Sequence, residues 1–203
     1  MAVYIKSHNC IFVHIPKTGG TSIVTWLENN FEVDKKSKHC SNDTALEYWP
    51  NSEWSFAVVR NTWARLASSY TYQIQYYTNR LNLINQGKAK KPHKHFWKKD
   101  TVEHILQELD KGFEYYLTQF DNPLDLDPQT SYINGVDYIL RLENVNNDFK
   151  QIQEKLNCYD ALPLKNTSSK TDYKTFYNSK TKVWVAKNYA EEIEKFKYRF
   201  EDI

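Results

Sequence analysis

A lysine that stands just before two glycines, where an apolar run stops, is the residue of this sequence best suited to chemistry. Lys17 lies in the string PKTGGTS, residues 16–22, after the β-forming run 12–15. Apolar side chains then follow at the i, i+3 and i+4 spacing of a helix: Ile23, Trp26 and Leu27. N–H groups at a helix start lack intrahelical partners, and the helix dipole is positive there. The string therefore predicts a loop that binds a phosphate or a similar anion.

A second pair of polar residues follows the next β-rich run, SFAVVR, residues 55–60. Arg60 ends that run, and Ser68 comes eight residues later in a long helical pattern. A third run, residues 136–143, again precedes a short helical pattern. Strands alternating with helices predict an α/β fold with a central, mostly parallel sheet flanked by helices. Ligands of such sheets bind at the carboxyl ends of the strands, so Arg60 and the 16–22 loop are expected to meet.

Length and charge restrict the function classes. With 203 residues the chain is expected to form a single domain, 1–203. Its 27 basic and 25 acidic side chains give a net charge of +2, which argues against nucleic-acid and membrane partners. The N-terminal segment lacks the unbroken apolar core of a signal peptide or membrane span. Three cysteines without a C-x-x-C pair disfavour a disulfide framework and a zinc site, so a cytoplasmic location is expected.

The loop does not follow the P-loop pattern of nucleoside-triphosphate enzymes, in which the lysine comes after the last glycine. Here Lys17 precedes Gly19 and Gly20. PKTGGTS instead resembles the phosphosulfate-binding loop of sulfotransferases that use 3′-phosphoadenosine 5′-phosphosulfate (PAPS), in particular carbohydrate sulfotransferases and their short soluble relatives. The family motif P-K-[TS]-G-[GT]-[TS]-[STW] is matched at every position.

Further strings carry the same resemblance. RNTWARLASSY, residues 60–70, is similar to the segment in which the family's arginine and serine hold the 3′-phosphate, with Thr62 where proline is usual. VDYILRLENVNNDF is similar to the third-strand segment, and LPLKNTSSKTDYKTFY to a later segment that contains Ser169 and Lys170. The closing string YAEEIEKFKYRFED resembles the family's last helix. Residues 80–130 match nothing in the family.

The resemblance implies a P-loop-like sulfotransferase fold and transfer of a sulfuryl group from PAPS to a hydroxyl, with adenosine 3′,5′-bisphosphate (PAP) as product. Lys17 would stabilise the departing bridging oxygen, since such transfers depend on positioning and charge neutralisation. The implied donor-binding residues are Lys17, Thr18, Gly19, Gly20, Thr21, Ser22, Arg60, Ser68, Ser169 and Lys170. No metal is expected.

The acceptor hydroxyl must lose a proton, which requires a general base. We expect His39, because glycan sulfotransferases of this type carry a histidine base after the first helix. His39 in an ordinary loop role is the alternative, and Glu47 and Glu143 are reserve bases. His14 alternates within the first strand and is expected to be packed rather than catalytic.

Residues 86–99, QGKAKKPHKHFWKK, hold six lysines and two histidines without an acid. A solvated loop is the simplest interpretation of such a run. A rim for an acidic acceptor is the alternative, with Phe96 and Trp97 available to stack on a sugar ring.

Two other function classes stay open at this stage: a small-metabolite kinase with an unusual loop, and a sulfotransferase-like binding module without turnover. The expected acceptor is a glycan hydroxyl, and a phenolic or small-metabolite hydroxyl is the second choice. The oligomeric state does not follow from the sequence.

Overall fold

The computed structural model describes residues 1–36, 40–88, 98–121, 123, 126–163 and 172–202. These residues form one five-stranded sheet with helices around it. The strands are β1 (Ala2–Ile5), β2 (Cys10–Val13), β3 (Val33–Lys36), β4 (Trp54–Val59) and β5 (Tyr138–Arg141). Their order across the sheet is β3-β1-β2-β4-β5.

A helix follows each of the strands β2, β3 and β4, whereas β1 leads to β2 through a short 3₁₀ turn. They are α1 (Gly20–Asn30), α2 (Asn42–Tyr48), α3 (Thr62–Asn85), α4 (Lys99–Asp110), α5 (Phe113–Thr118), α6 (Val145–Asp148), α7 (Lys150–Leu156), α8 (Ser179–Asn188) and α9 (Ala190–Phe196). The closing string forms α9 and a C-terminal turn rather than one long helix.

The α/β prediction is confirmed, but the prediction of a mostly parallel sheet is wrong. β2 and β5 both run parallel to β4, whereas β1 runs antiparallel to β2 and to β3. The chain reverses after β1 through a short 3₁₀ turn, Lys6–His8, and a left-handed residue, Asn9 (φ 46°). This reversal is too tight for a parallel crossover, which needs a dozen or more residues. The sheet is therefore mixed.

Alternation along the central strands builds two apolar layers, one on each face of the sheet. Ile11 and Val13 of β2 join the layer that packs under α3, while Cys10 and Phe12 join the layer that packs under α1 and α7. Because both faces are covered, β2 and most of β4 are fully buried. The helix termini at the carboxyl ends of β2 and β4 are thereby fixed beside each other.

Candidate functional site

The loop between β2 and α1 has a constrained backbone. Lys17 and Gly19 both have positive φ, 66° and 78°, and Gly19 is the residue from which α1 starts. The buried Thr18 donates its hydroxyl hydrogen bond to the Ile15 carbonyl at 2.9 Å, which closes the turn from within. A left-handed conformation is costly for lysine, so the surrounding contacts must hold it in place.

Side chains lie so close to the two glycines that a larger residue at either position would require them to move. A Cβ on Gly20 would lie 2.1 Å from Cδ2 of His14, and one on Gly19 would lie 2.5 Å from Cδ1 of Leu142. His14 thus packs directly beneath the start of α1, in agreement with its predicted structural role. With a glycine at the cap and threonine and serine behind it, the first turn of α1 presents backbone N–H groups in the arrangement that binds anions.

The Lys17 ammonium lies over the ring of Tyr72, 3.6 Å from the ring centroid. Lys17 is half-buried, and Tyr72 is exposed on α3. A cation above an aromatic face is attracted by the ring quadrupole. Tyr72 therefore gives the lysine a defined resting position at the mouth of the loop, a contact that the sequence patterns do not indicate.

Arg60 follows β4 directly and reaches the loop. Its Nη1 donates to the Lys17 carbonyl at 3.2 Å, so the two motifs predicted to converge do so. Burial lowers the pKa of Arg60, and the nearby charge of Glu143 opposes that shift. The bond to the Lys17 carbonyl uses one of the five N–H donors of a guanidinium. A partly desolvated cation of this kind gains strongly from a bound phosphate.

Ser68 lies on the same stripe of α3 as two residues that touch the loop. Arg65, three residues before it, donates from Nε to the Pro16 carbonyl at 3.1 Å. Tyr72, four residues after it, carries Lys17. Positions i, i+3 and i+7 share one helix face, so the half-buried Ser68 lies on the face of α3 that carries these two contacts.

Arg65 contacts the loop, although the sequence analysis assigned no role to it. Its side chain is fully buried and braces the loop at Pro16. Arg65 belongs to the string RNTWARLASSY, so its spacing from Arg60 was part of the resemblance, but its bond to Pro16 joins distant parts of the chain and could not be read from that spacing.

A buried hydrogen-bond network holds Arg60 from the opposite side. The Gln129 side chain pairs with the Arg60 backbone in both directions, accepting from its N–H and donating to its carbonyl, both at 2.8 Å. Gln129 also donates to the carboxylate of Glu192 through Nε2, at 2.6 Å, and through its own backbone N–H. Thr62 donates its hydroxyl to the same carboxylate at 2.6 Å. All three side chains of this network are fully buried.

The network explains the threonine at position 62. Proline has no hydroxyl, so a proline at position 62 could not form the bond that Thr62 makes with Glu192. Gln129 lies in the 80–130 region that matches no family motif, and Glu192 lies far along the chain. Neither could be identified as a neighbour of Arg60 from the sequence.

The reserve bases are placed differently from each other. Glu143 accepts from the Asn61 backbone N–H at 2.6 Å and from the Tyr198 hydroxyl at 3.2 Å, so its carboxylate supports the start of α3. Such an engaged carboxylate is a poor candidate for proton abstraction. Glu47 is exposed on α2. The predicted base His39 and the predicted donor-binding residues Ser169 and Lys170 lie outside the described residues, as do Phe96 and Trp97.

Within the described part of the chain, no group of three or more histidine, cysteine or carboxylate side chains is arranged to hold a metal ion. The helices described here include none that is both long and apolar enough to cross a membrane. Comparison with protein-family models, with curated proteins and with solved structures gave no match for this chain.

Proposed function

We propose that this protein is a PAPS-dependent sulfotransferase of P-loop-like fold that transfers a sulfuryl group to a hydroxyl acceptor, most simply a carbohydrate. One observation carries the proposal: Arg60 contacts the Lys17 loop directly. Ser68 shares the face of α3 from which Arg65 and Tyr72 contact that loop. Two sequence-distant motifs with the family's residue types thus surround the start of α1. A bisphosphate nucleotide needs two separate anion sites, and this arrangement offers both.

In the proposed reaction, residues 18–22 hold the 5′-phosphosulfate by backbone and hydroxyl donors, and Arg60 with Ser68 holds the 3′-phosphate. The acceptor oxygen forms a bond to sulfur while the bond from sulfur to the bridging oxygen breaks. Lys17 moves from Tyr72 to the bridging oxygen and neutralises the charge that develops there as PAP departs. The acceptor proton goes to a base, for which His39 is the candidate. The reaction needs no divalent metal.

The test is transfer from radiolabelled PAPS to a panel of hydroxyl acceptors, with and without EDTA. Wild-type protein is expected to label an acceptor at the same rate in both conditions. Lys17→Ala is expected to lower kcat and also weaken PAPS binding, because the ammonium acts on the bound donor before and during the reaction. Lys187→Ala removes an exposed lysine of α8 and serves as the matched control.

Two outcomes would contradict the proposal. Phosphoryl transfer from ATP that requires magnesium, without sulfuryl transfer, would favour the kinase class. Tight PAP binding with no labelling of any acceptor would favour the binding-module class. Under either alternative the wild-type protein transfers no sulfuryl group, so Lys17→Ala has no sulfuryl-transfer rate to lower.

A further inference from the structure

Arg60 lies just beyond the hydrogen-bonded part of the sheet. β4 ends at Val59, whose partner across the sheet is Arg141 at the end of β5. On its other side β4 pairs with β2 only as far as Ala57. Both ladders described for β4 therefore stop before Arg60, so its backbone N–H and carbonyl need partners from another part of the chain.

The side chain of Gln129 supplies both partners. Its Oε1 accepts from the Arg60 N–H and its Nε2 donates to the Arg60 carbonyl, each at 2.8 Å. One side-chain amide thus pairs with one residue as a neighbouring antiparallel strand would. Gln129 begins a 3₁₀ helix, Gln129–Tyr132, that does not belong to the sheet. The Glu192 carboxylate of α9 accepts from the same Nε2 at 2.6 Å and fixes the orientation of the amide.

The side chain of Arg60 carries the contact with the loop, because its Nη1 donates to the Lys17 carbonyl at 3.2 Å. Contacts therefore run without a break from Glu192 through Gln129 and the Arg60 backbone to the loop. Gln129 and Glu192 are fully buried, which makes this path stiff. A shift of the Arg60 backbone would change the separation of the two proposed anion sites. A fixed separation suits a nucleotide whose two anionic groups have a fixed spacing.

We propose that Gln129 is a positioning residue that sets the selectivity for a nucleotide with a 3′-phosphate. This inference rests on the proposed sulfotransferase function, in which Arg60 contacts that phosphate, and it assigns a further role at the same site. Because Gln129 is fully buried, it acts on the nucleotide through Arg60. Its loss weakens the 3′-phosphate contact and spares the 5′-phosphate contacts, since the backbone donors for the latter belong to the start of α1.

Gln129→Met removes both hydrogen bonds to Arg60 and nearly conserves the length of the side chain. In calorimetric titrations this variant is expected to bind PAP about 3- to 10-fold more weakly than wild type does. Its affinity for AMP should change by less than about twofold, because AMP lacks the phosphate that Arg60 contacts.

Kinetics separate positioning from a merely structural role. With PAPS and any acceptor that the wild-type protein labels, Gln129→Met should raise KM for PAPS by a similar factor and keep kcat within about twofold. The reason is that Arg60 contacts the donor equally before and during transfer. A structural role predicts the reverse, a lower apparent kcat from a smaller folded fraction with KM unchanged.

Three further variants complete the test. Ile152→Val alters a fully buried site of the apolar layer under α1 and α7, so it lowers stability but should keep the wild-type ratio of PAP to AMP affinity. In the Arg60→Ala background, Gln129→Met should still lower stability but should not change that ratio, because the side chain that it positions is gone. Gln129→Asn has a shorter side chain that cannot reach all of these partners, and it replaces Gln129→Met if the latter does not fold.

The outcomes distinguish this inference from the proposed function. If Gln129→Met, or Gln129→Asn in its place, keeps the wild-type ratio of affinities, the role of Gln129 is refuted and the sulfotransferase assignment stands. An equal change of the ratio with and without the Arg60 side chain would also refute that role. A wild-type protein that binds PAP and AMP equally would refute the assignment, and the role of Gln129 with it.

Discussion

Replacing Glu192 by glutamine tests whether the buried network around Arg60 stabilises the fold. The carboxylate accepts three hydrogen bonds, from the Thr62 hydroxyl and from the side chain and backbone of Gln129. A glutamine has one oxygen and one NH₂ group, so a buried donor then faces another donor. An unsatisfied buried group costs about 1–3 kcal/mol, and the remaining bonds lose their charge assistance, about 1 kcal/mol each. Relief of the buried charge offsets part of this loss.

The expected result is a decrease of about 2–4 kcal/mol in the free energy of unfolding. Urea titration followed by tryptophan fluorescence measures it, since the chain has six tryptophans. Glu191→Gln, an exposed neighbour in the same helix turn, is the control and should change stability by less than about 0.5 kcal/mol. A double-mutant cycle with Thr62→Val should give a coupling of about 1 kcal/mol or more. If the Glu192→Gln and Glu191→Gln variants unfold at the same urea concentration, the hydrogen bonds of Glu192 to Thr62 and Gln129 do not stabilise the fold.

Three further predictions address the loop, a buried thiol and the base. Gly20→Ala places a methyl group 2.1 Å from the His14 ring and should lower the free energy of unfolding by about 1–3 kcal/mol. Adding His14→Ala to that variant should restore part of the lost free energy. If it restores none, the His14 ring does not limit the space at Gly20. Burial raises the pKa of the Cys10 thiol from 9.0 to about 12, so its contribution to stability is complete below 9.0 and is lost as the pH rises towards 12. Over that interval wild-type stability should fall more steeply than that of Cys10→Ala, by up to about 1.4 kcal/mol per pH unit, and equal slopes would refute this. His39→Ala should lower kcat by ~10²–10⁴-fold with PAPS affinity unchanged, and a variant that kept more than about a tenth of kcat would exclude His39 as the base.

Local patterns predicted the parts of the fold that depend on local order. The periodicity after residue 60 predicted α3, and the strand before Lys17 with the glycines after it predicted the start of α1. The antiparallel pairing of β1 was not predicted, because Ala2–Ile5 is too short to show a hydrophobic period. The pairing of this strand with both β2 and β3 also depends on how distant parts of the chain come together.

The candidate site shows the same division between local and long-range information. Lys17 and Arg60 could be paired because both follow buried strands of one sheet. Gln129 and Glu192 could not, since a buried glutamine and a buried glutamate look like surface residues in a sequence until their partners are known. Tyr72 was assigned no role because the helical pattern around it marks the buried face, and the tyrosine lies on the other side of the helix.

The central claim is that Arg60 and Ser68 form a site for a 3′-phosphate beside the Lys17 loop. Calorimetric titration with PAP and with AMP tests it most directly, because the two nucleotides differ by that phosphate alone. A charge-assisted contact of ~1.5–3 kcal/mol predicts that PAP binds about 10- to 150-fold more tightly than AMP, and that Arg60→Ala abolishes the difference. Equal affinities of wild-type protein for PAP and AMP would contradict the assignment.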